Sequence, residues 1–263
     1  MTATDHVLLH EADGVATLTL NRPDKLNAMA PESLDRLIAL LDQVRDEGTA
    51  RVLVMTGAGR AFCSGADLGG YDEADDALPD RGIGLERGHN IVCERMRYLP
   101  IPIICAVNGG AAGGGCGYAL AGDIVIAARS AYFLQPFVNI GLVPDVGATW
   151  LLPRLVGKAR ATAMMMLGER IPAETAADWG LIWRMVEDAA LMDEAYALAR
   201  RLAAGPTVSY TLMRQAIGDA LEMSLAQTLG MERRNQRIAG RTADHAEGTA
   251  AFLEKRPPRF TGR

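Results

Sequence analysis

The sequence predicts an α/β core to about residue 200 (1–200), followed by a helical portion over residues 201–263. Three features predict it. Short apolar runs suited to buried strands alternate with turns and helical stretches as far as Val186, and beyond it the apolar spacing is helical almost to the end. The composition is that of a globular chain, 49% hydrophobic and 22% charged over 263 residues, which is enough to bury a sizeable core.

The elements follow in order. Val7–Leu9 and Val15–Leu20 flank Asp13-Gly14, a dipeptide that suits the positive φ angles of a tight hairpin. From Pro31 to Glu47, Leu34, Leu37, Ile38, Leu41 and Val44 recur at helical spacing, with Pro31 fit for a first turn and Gly48 for the C-terminal cap. Arg51–Met55 reads as a buried strand and Thr56–Gly70 as a glycine-dotted loop; Tyr71–Gly84, acidic and carrying Pro79, reads as a long mobile excursion. A helix through Arg97 and a strand at Ile103–Val107 come next. The run Asn108–Gly117 then turns the chain into a short apolar helix ending near Ala121, and Asp123–Ala127 and Ala131–Leu134 are further strands. Gly205-Pro206, Gly230 and Gly240 are expected to divide the C-terminal helices, which are short enough to need another surface to cover them.

A formal net charge of −5 gives no general attraction to nucleic acid or to an anionic membrane, so a small molecule is the expected partner. Cys63, Cys93, Cys105 and Cys116 lie far apart, without the paired spacings of zinc sites, and read as reduced thiols. No run approaches the roughly 18 apolar residues of a membrane span. The segment Met1–Leu9 lacks the basic start and apolar run of a secretory signal, so the cytoplasm is the expected location.

The glycine run after Val107 lies between strand and helix, yet no register of it gives the dinucleotide-binding spacing G-x-G-x-x-G. Val156-Gly157-Lys158-Ala159 lacks the features of a phosphate loop, and Ser64 is not framed as a nucleophile elbow. Two readings of the run stay open. Glycines at a helix N-terminus let backbone N–H groups approach a ligand oxygen, or they simply allow a helix to pack closely on a strand.

Five stretches, taken in order, resemble the enoyl-CoA hydratase/isomerase (crotonase) family: Asn21-Arg22-Pro23, Lys25-Leu26-Asn27-Ala28, Phe62–Leu68, Asn108–Gly115 and Gly141–Asp145. The resemblance runs from residue 7 to 262. It implies a crotonase-type spiral of ββα units, with a C-terminal helical region used for trimerisation, giving a homotrimer or a dimer of trimers. It also implies an acyl-CoA substrate whose thioester oxygen sits between the backbone N–H groups of Ala66 and Gly114, with no permanently bound cofactor and coenzyme A present only as part of the substrate. Lys25, Leu26 and Ala28 match positions lining the CoA channel. Ser64, Asp67, Leu68, Gly113, Phe137 and Pro144 fall among the expected substrate contacts. Phe252 and Lys255 resemble contacts made to the adenine and phosphate of a neighbouring subunit's CoA, against the alternative of a core aromatic and a surface lysine.

Hydratases of this family use two glutamates, and by the resemblance Gly117 and Phe137 occupy those positions here. Adding water across a double bond needs two positioned groups. Asp145, between apolar neighbours, is the remaining acid, and its alternative role is to cap the helix that follows. A single carboxylate can carry a proton from one carbon to another through an enolate, which is isomerisation. Further stretches at Leu53–Arg60, Gly122–Ser130, Thr149–Arg154 and from Ala239 onward resemble the branch that rearranges ring epoxides or shifts double bonds, in phenylacetate or fatty acid breakdown. The alternatives are a hydratase with an atypical acid/base set, a noncatalytic CoA-binding homologue, and dehalogenation, for which Phe137 and Asn90 replace the needed tryptophan and histidine. Asp67 and Asp123 also read as turn or strand-end residues, and His89, after the excursion, as a solvated histidine against the alternative of one that visits the site.

Overall fold

The hairpin at the start of the chain forms as its turn residues require. β1 (Val7–Ala12) pairs antiparallel with β2 (Val15–Leu20) around Asp13 and Gly14, whose φ angles of 52° and 74° are both positive. This computed structural model describes residues 2, 5–67, 69 and 80–263. Leu68 and residues 71–79 of the expected excursion lie outside them.

Helix α1 (Pro31–Glu47) begins on Pro31, ends on Gly48 at φ 61°, and buries Leu34, Leu37, Leu41 and Val44 on one face. After it come β3 (Val52–Gly57), β4 (Ala61–Cys63), α2 (Arg81–Gly84), a wide π-type turn at Leu85–His89, and α3 (Asn90–Tyr98). Next are β5 (Ile103–Val107), β6 (Gly110–Ala112), α4 (Gly114–Leu120), β7 (Ile124–Ala128), β8 (Tyr132–Leu134) and α5 (Ala148–Leu167), which breaks its helical path at Gly157. The chain closes with β9 (Ile171–Pro172), α6 (Ala173–Asp178), β10 (Arg184–Val186), α7 (Leu191–Ala203), α8 (Thr207–Ala220), α9 (Leu225–Ala239) and α10 (Ala243–Glu254).

Successive strands enter alternate sheets. β3, β5 and β7 join a six-stranded sheet ordered β1-β2-β3-β5-β7-β10, while β4, β6 and β8 join a four-stranded sheet ordered β4-β6-β8-β9. Each strand–strand–helix turn therefore adds one rung to both sheets, which is the expected ββα spiral. Beyond the β1 hairpin the larger sheet is parallel. Its central strands, such as Ile103–Val107, are buried on both faces, which explains why they read as unbroken apolar runs rather than alternating ones. Helix α7 covers this sheet with Leu191, Ala195, Ala199 and Ala203, spaced one turn apart, where small side chains let the helix lie close.

Gly230 does not divide the C-terminal helices as expected. Helix α9 runs through it, started by a reciprocal capping box of Ser224 and Gln227. One glycine costs a helix interior only about 1 kcal/mol and removes no hydrogen bond, so without a proline it does not stop the helix.

One buried cation ties α8 to the spiral. Arg214 pairs with Asp123 at 2.8 Å, and its remaining N–H groups donate to the carbonyls of Met96, Arg97 and Leu99. Those carbonyls close the end of α3, where the last turn has no backbone donors of its own, and the positive charge also suits the helix dipole. Arg214→Met should leave Asp123 and three carbonyls without this partner, costing roughly 3–5 kcal/mol. Urea unfolding followed by circular dichroism would measure it, and a loss under about 1 kcal/mol would contradict this account.

Candidate active site

Two backbone segments meet where the smaller sheet hands over to helices. The first follows β4. Ala66 forms a lone parallel bridge with Met29, in which Met29 N–H donates to Gly65 O at 2.8 Å and Asp67 N–H donates to Met29 O at 3.0 Å. In such a bridge the N–H of the intervening residue faces away from the partner, which leaves the Ala66 amide free among the described residues. The second segment follows β6, where Gly113 takes a φ of 53° and Gly114 opens α4, so the Gly114 N–H has no acceptor within the helix.

The segments touch backbone to backbone. A Cβ on Gly65, whose φ is 98°, would lie 3.1 Å from Ala112 O and 3.2 Å from Gly114 N. A larger residue there would be strained at that φ and would push these backbone atoms back by a few tenths of an ångström. The close packing expected of the glycine run is thus present, and the same run opens α4 with an amide that has no acceptor within the helix. At Gly117 a Cβ would strike the carbonyl and side chain of Val146, so this backbone has no room for a carboxylate there. Phe137 is buried, with its ring 3.5 Å from the Cβ position of Gly113.

Asp145 stands over this junction. Its Oδ1 lies 3.6 Å from where a Cβ on Gly114 would be, is buried, and accepts no hydrogen bond among the described residues. The helix-cap role is not what the structure shows: α5 is capped at Gly147, and the contribution of Asp145 is its backbone carbonyl, which accepts from Ala148 N–H at 2.9 Å. Desolvation pushes the carboxyl up to about 6, against the opposing pull of a backbone hydrogen bond. The next residue, Val146, sits at φ 49°, a region that β-branched residues avoid. Pro144 is half-buried beside it.

Two groups nearby are desolvated, although Leu142 and Val143 on the loop before Asp145 are exposed. Burial first, and then the Asp145 charge, push the Cys93 thiol up to about 12, so it stays protonated. His89, expected to be solvated, is 2% exposed. Its Nδ1 is 2.5 Å from the Tyr118 hydroxyl, and desolvation holds the ring at about 4, hence neutral. The reason is the π-type turn, which swings His89 inward against α4. No periodicity in the sequence announced that turn. Cys93 and Val146 also border a cavity of about 870 Å³ between α3, α5 and α8, lined by Leu151, Met213 and Ile217 together with the Arg214–Asp123 pair; Ala66, Gly114 and Asp145 do not line it.

The expected CoA-channel residues are partly assembled. Ser64 N–H donates to Leu26 O at 3.0 Å and Ser64 Oγ to Lys25 O at 3.5 Å; Lys25 is exposed and Ala28 buried. Asp67 does not stand free for a substrate. It pairs with Arg22 at 2.9 Å, and that guanidinium holds its carboxyl below the usual range. Asp123 is at a strand end and bound to Arg214, as its structural reading expects. Phe252 is 83% exposed, which excludes a core role, and Lys255 is likewise exposed at the end of α10. Sequence reasoning missed Arg22 and Asn27 as organisers of this loop. The available signal was an asparagine in a turn, since Asn tolerates the left-handed φ of 57° found here. Among the described residues no cluster of His, Cys, Asp and Glu could hold a metal ion, and no helix is long and apolar enough to cross a membrane.

The family description "Enoyl-CoA hydratase/isomerase" matches residues 10–263. The chain is 49% identical to the 1,2-epoxyphenylacetyl-CoA isomerase of Escherichia coli, covering 98% of this chain and 99% of that protein. It is 33% identical to the short-chain-enoyl-CoA hydratase of Clostridium acetobutylicum, covering 96% of each. The crystal structure of an enoyl-CoA hydratase from Bacillus anthracis superposes with a TM-score of 0.92 at 32% identity, covering 98% of this chain and 100% of that one. With the ββα spiral, the abutting glycine segments and this match along almost its whole length, the chain belongs to the enoyl-CoA hydratase/isomerase family.

Proposed function

We propose that the protein is an acyl-CoA isomerase in which Asp145 carries the proton. The substrate's thioester oxygen lies between the N–H groups of Ala66 and Gly114. Asp145 takes a proton from the carbon next to the carbonyl of a 3-enoyl thioester. The electron pair spreads onto the oxygen, where two preorganised donors stabilise it, and the proton returns to the carbon at the far end of the conjugated system. Loss of one such donor typically costs about 10²–10³ in rate.

The observation that carries this reading is the half-buried Asp145 carboxyl beside Gly114, whose Oδ1 is buried and accepts no hydrogen bond among the described residues. A carboxyl near 6 is largely ionised at neutral pH yet basic enough to take a carbon-bound proton from an activated position. Hydration would need a second group to activate water, and Gly117 and Phe137 supply none. A noncatalytic CoA binder has no use for a desolvated acid held beside a strained Val146. Rearrangement of a ring epoxide, the reaction in the E. coli relative's name, is the second chemistry this site suits, because it too needs the oxyanion donors and a single proton carrier. Coenzyme A enters only as part of the substrate. The exposed apolar residues Leu225, Leu229, Ile238 and Phe252 support a homotrimer or dimer of trimers, with Phe252 and Lys255 reaching a neighbour's CoA.

The wild type should shift a 3-enoyl-CoA into conjugation and hydrate a 2-enoyl-CoA hardly at all, and Asp145→Asn should lose roughly 10³-fold or more of the isomerisation. Absorbance of the conjugated thioester or chromatographic product analysis reads both reactions; efficient hydration that survives Asp145→Asn would sink the proposal. Because the ionised form is the base, kcat/KM should rise with pH through about 6. Stability should run the other way. The folded-state pKa of Asp145 is raised, so burying the charge costs stability above about 6, and the cost fades as pH falls toward the unfolded value of 3.8. Asp145→Asn should therefore be more stable than wild type by about 1–2 kcal/mol at neutral pH, allowing for partial solvent access, and no more stable near pH 4. Denaturation at both pH values checks the sign.

A further inference from the structure

The loop assigned above to coenzyme A and the strand that carries the Ala66 amide are joined through a single side chain. Arg22 organises the loop from both ends. Its carbonyl accepts from Lys25 N–H and Asn27 N–H at 2.9 Å each, and its own N–H donates to Asn27 Oδ1 at 2.8 Å. Its guanidinium Nη1 then both donates to Ala28 O within the loop at 2.6 Å and pairs with Asp67 beyond it at 2.9 Å. Asp67 directly follows Ala66.

Asn27 fastens the other side. Buried at 1% exposure, it donates from Nδ2 to Ala58 O at 2.9 Å and to Ala61 O at 2.7 Å, while its carbonyl faces the Cys63 thiol at 3.2 Å. The strand leading into Ala66 is therefore gripped before that residue by Asn27 and after it by Arg22. In between, Ser64 N–H, Gly65 O and Asp67 N–H are bonded to Leu26 or Met29. Both flanks of the Ala66 amide are held by the loop from residue 22 to 29, and the amide itself is left free among the described residues.

We propose that Arg22 and Asp67 are positioning residues that make the coenzyme-binding loop and the Ala66 amide one rigid unit, so that seating the coenzyme sets the angle at which this amide meets the thioester oxygen. This inference rests on the oxyanion role given above to Ala66. The pair is well placed to transmit position. Side-chain exposures of 15% and 21% shield it more than a surface ion pair. One nitrogen, Nη1, holds the carboxylate and the carbonyl together, and the planar guanidinium fixes its orientation more tightly than a flexible lysine ammonium would. Catalysis is sensitive to displacements of a fraction of an ångström in such donors, whereas coenzyme affinity is spread over many contacts.

The test compares wild type with Asp67→Asn, Arg22→Gln and Arg22→Lys. Three readouts are needed: kcat for 3-enoyl-CoA, the dissociation constant of free coenzyme A, and the infrared carbonyl frequency of bound butyryl-CoA labelled with ¹³C at the thioester carbon. The wild type should lower the carbonyl frequency relative to solution. Asp67→Asn and Arg22→Gln should lose much of that shift and about tenfold or more in kcat, with coenzyme A affinity changed by less than about threefold. Arg22→Lys should fall between. Variants that keep the full shift and full kcat would overturn the inference, as would a loss of kcat matched by an equal loss of coenzyme A affinity. A wild type with no carbonyl shift would instead remove the oxyanion role itself.

Discussion

The contact of Gly65 with Gly114 is the constraint on which the site depends. The smaller sheet of the spiral pairs β4 and β6 as parallel neighbours, and the segments leaving them approach this closely because no Cβ stands between them. From that approach follows everything placed at the junction: one amide from a bridge residue, one from the first residue of a helix, and a helix dipole behind the second. Gly117, one turn further along α4, continues the same logic by letting Val146 settle against the helix, and that seating is what brings Asp145 over Gly114.

Energetically the site runs against the rest of the molecule. The larger sheet buries nearly unbroken apolar strands under α1 and α7, and its polar ends are matched, as where Arg214 closes α3 and holds Asp123. At the site, by contrast, the Asp145 carboxyl is desolvated with its Oδ1 unpaired, a valine is held at positive φ, and a neutral histidine leaves its Nε2 unpaired among the described residues. Each of these costs of order one to a few kcal/mol. They persist because the well-packed spiral over-determines the backbone around them. A carboxylate matched to a cationic partner would be a weaker base.

The 22–29 loop and the strand that carries Ala66 are fastened to each other. Arg22 and Asn27 satisfy polar groups on both sides of the Ala66 amide, so an amide that has no partner among the described residues is nonetheless held in place. Preorganisation of this kind removes the reorganisation that a flexible donor would undergo during the reaction.

The periodicities in the chain determined much of this. Helical spacing from Pro31 to Glu47, the Asp13-Gly14 hairpin and the apolar runs of the parallel strands were legible because each follows from local geometry and burial. The ordered glycine stretches and Asp145 were legible as a resemblance, and the absence of acids at positions 117 and 137 is a matter of residue identity alone. Only the tertiary structure decided the rest. That Asp145 lies unpartnered beside Gly114 rather than capping α5, that His89 is buried, that Asp67 is held by Arg22, and that α9 passes through Gly230 all depend on which segments, distant in sequence, share a neighbourhood. Desolvation and pairing are properties of that neighbourhood, and a linear pattern does not encode them until the chain has folded.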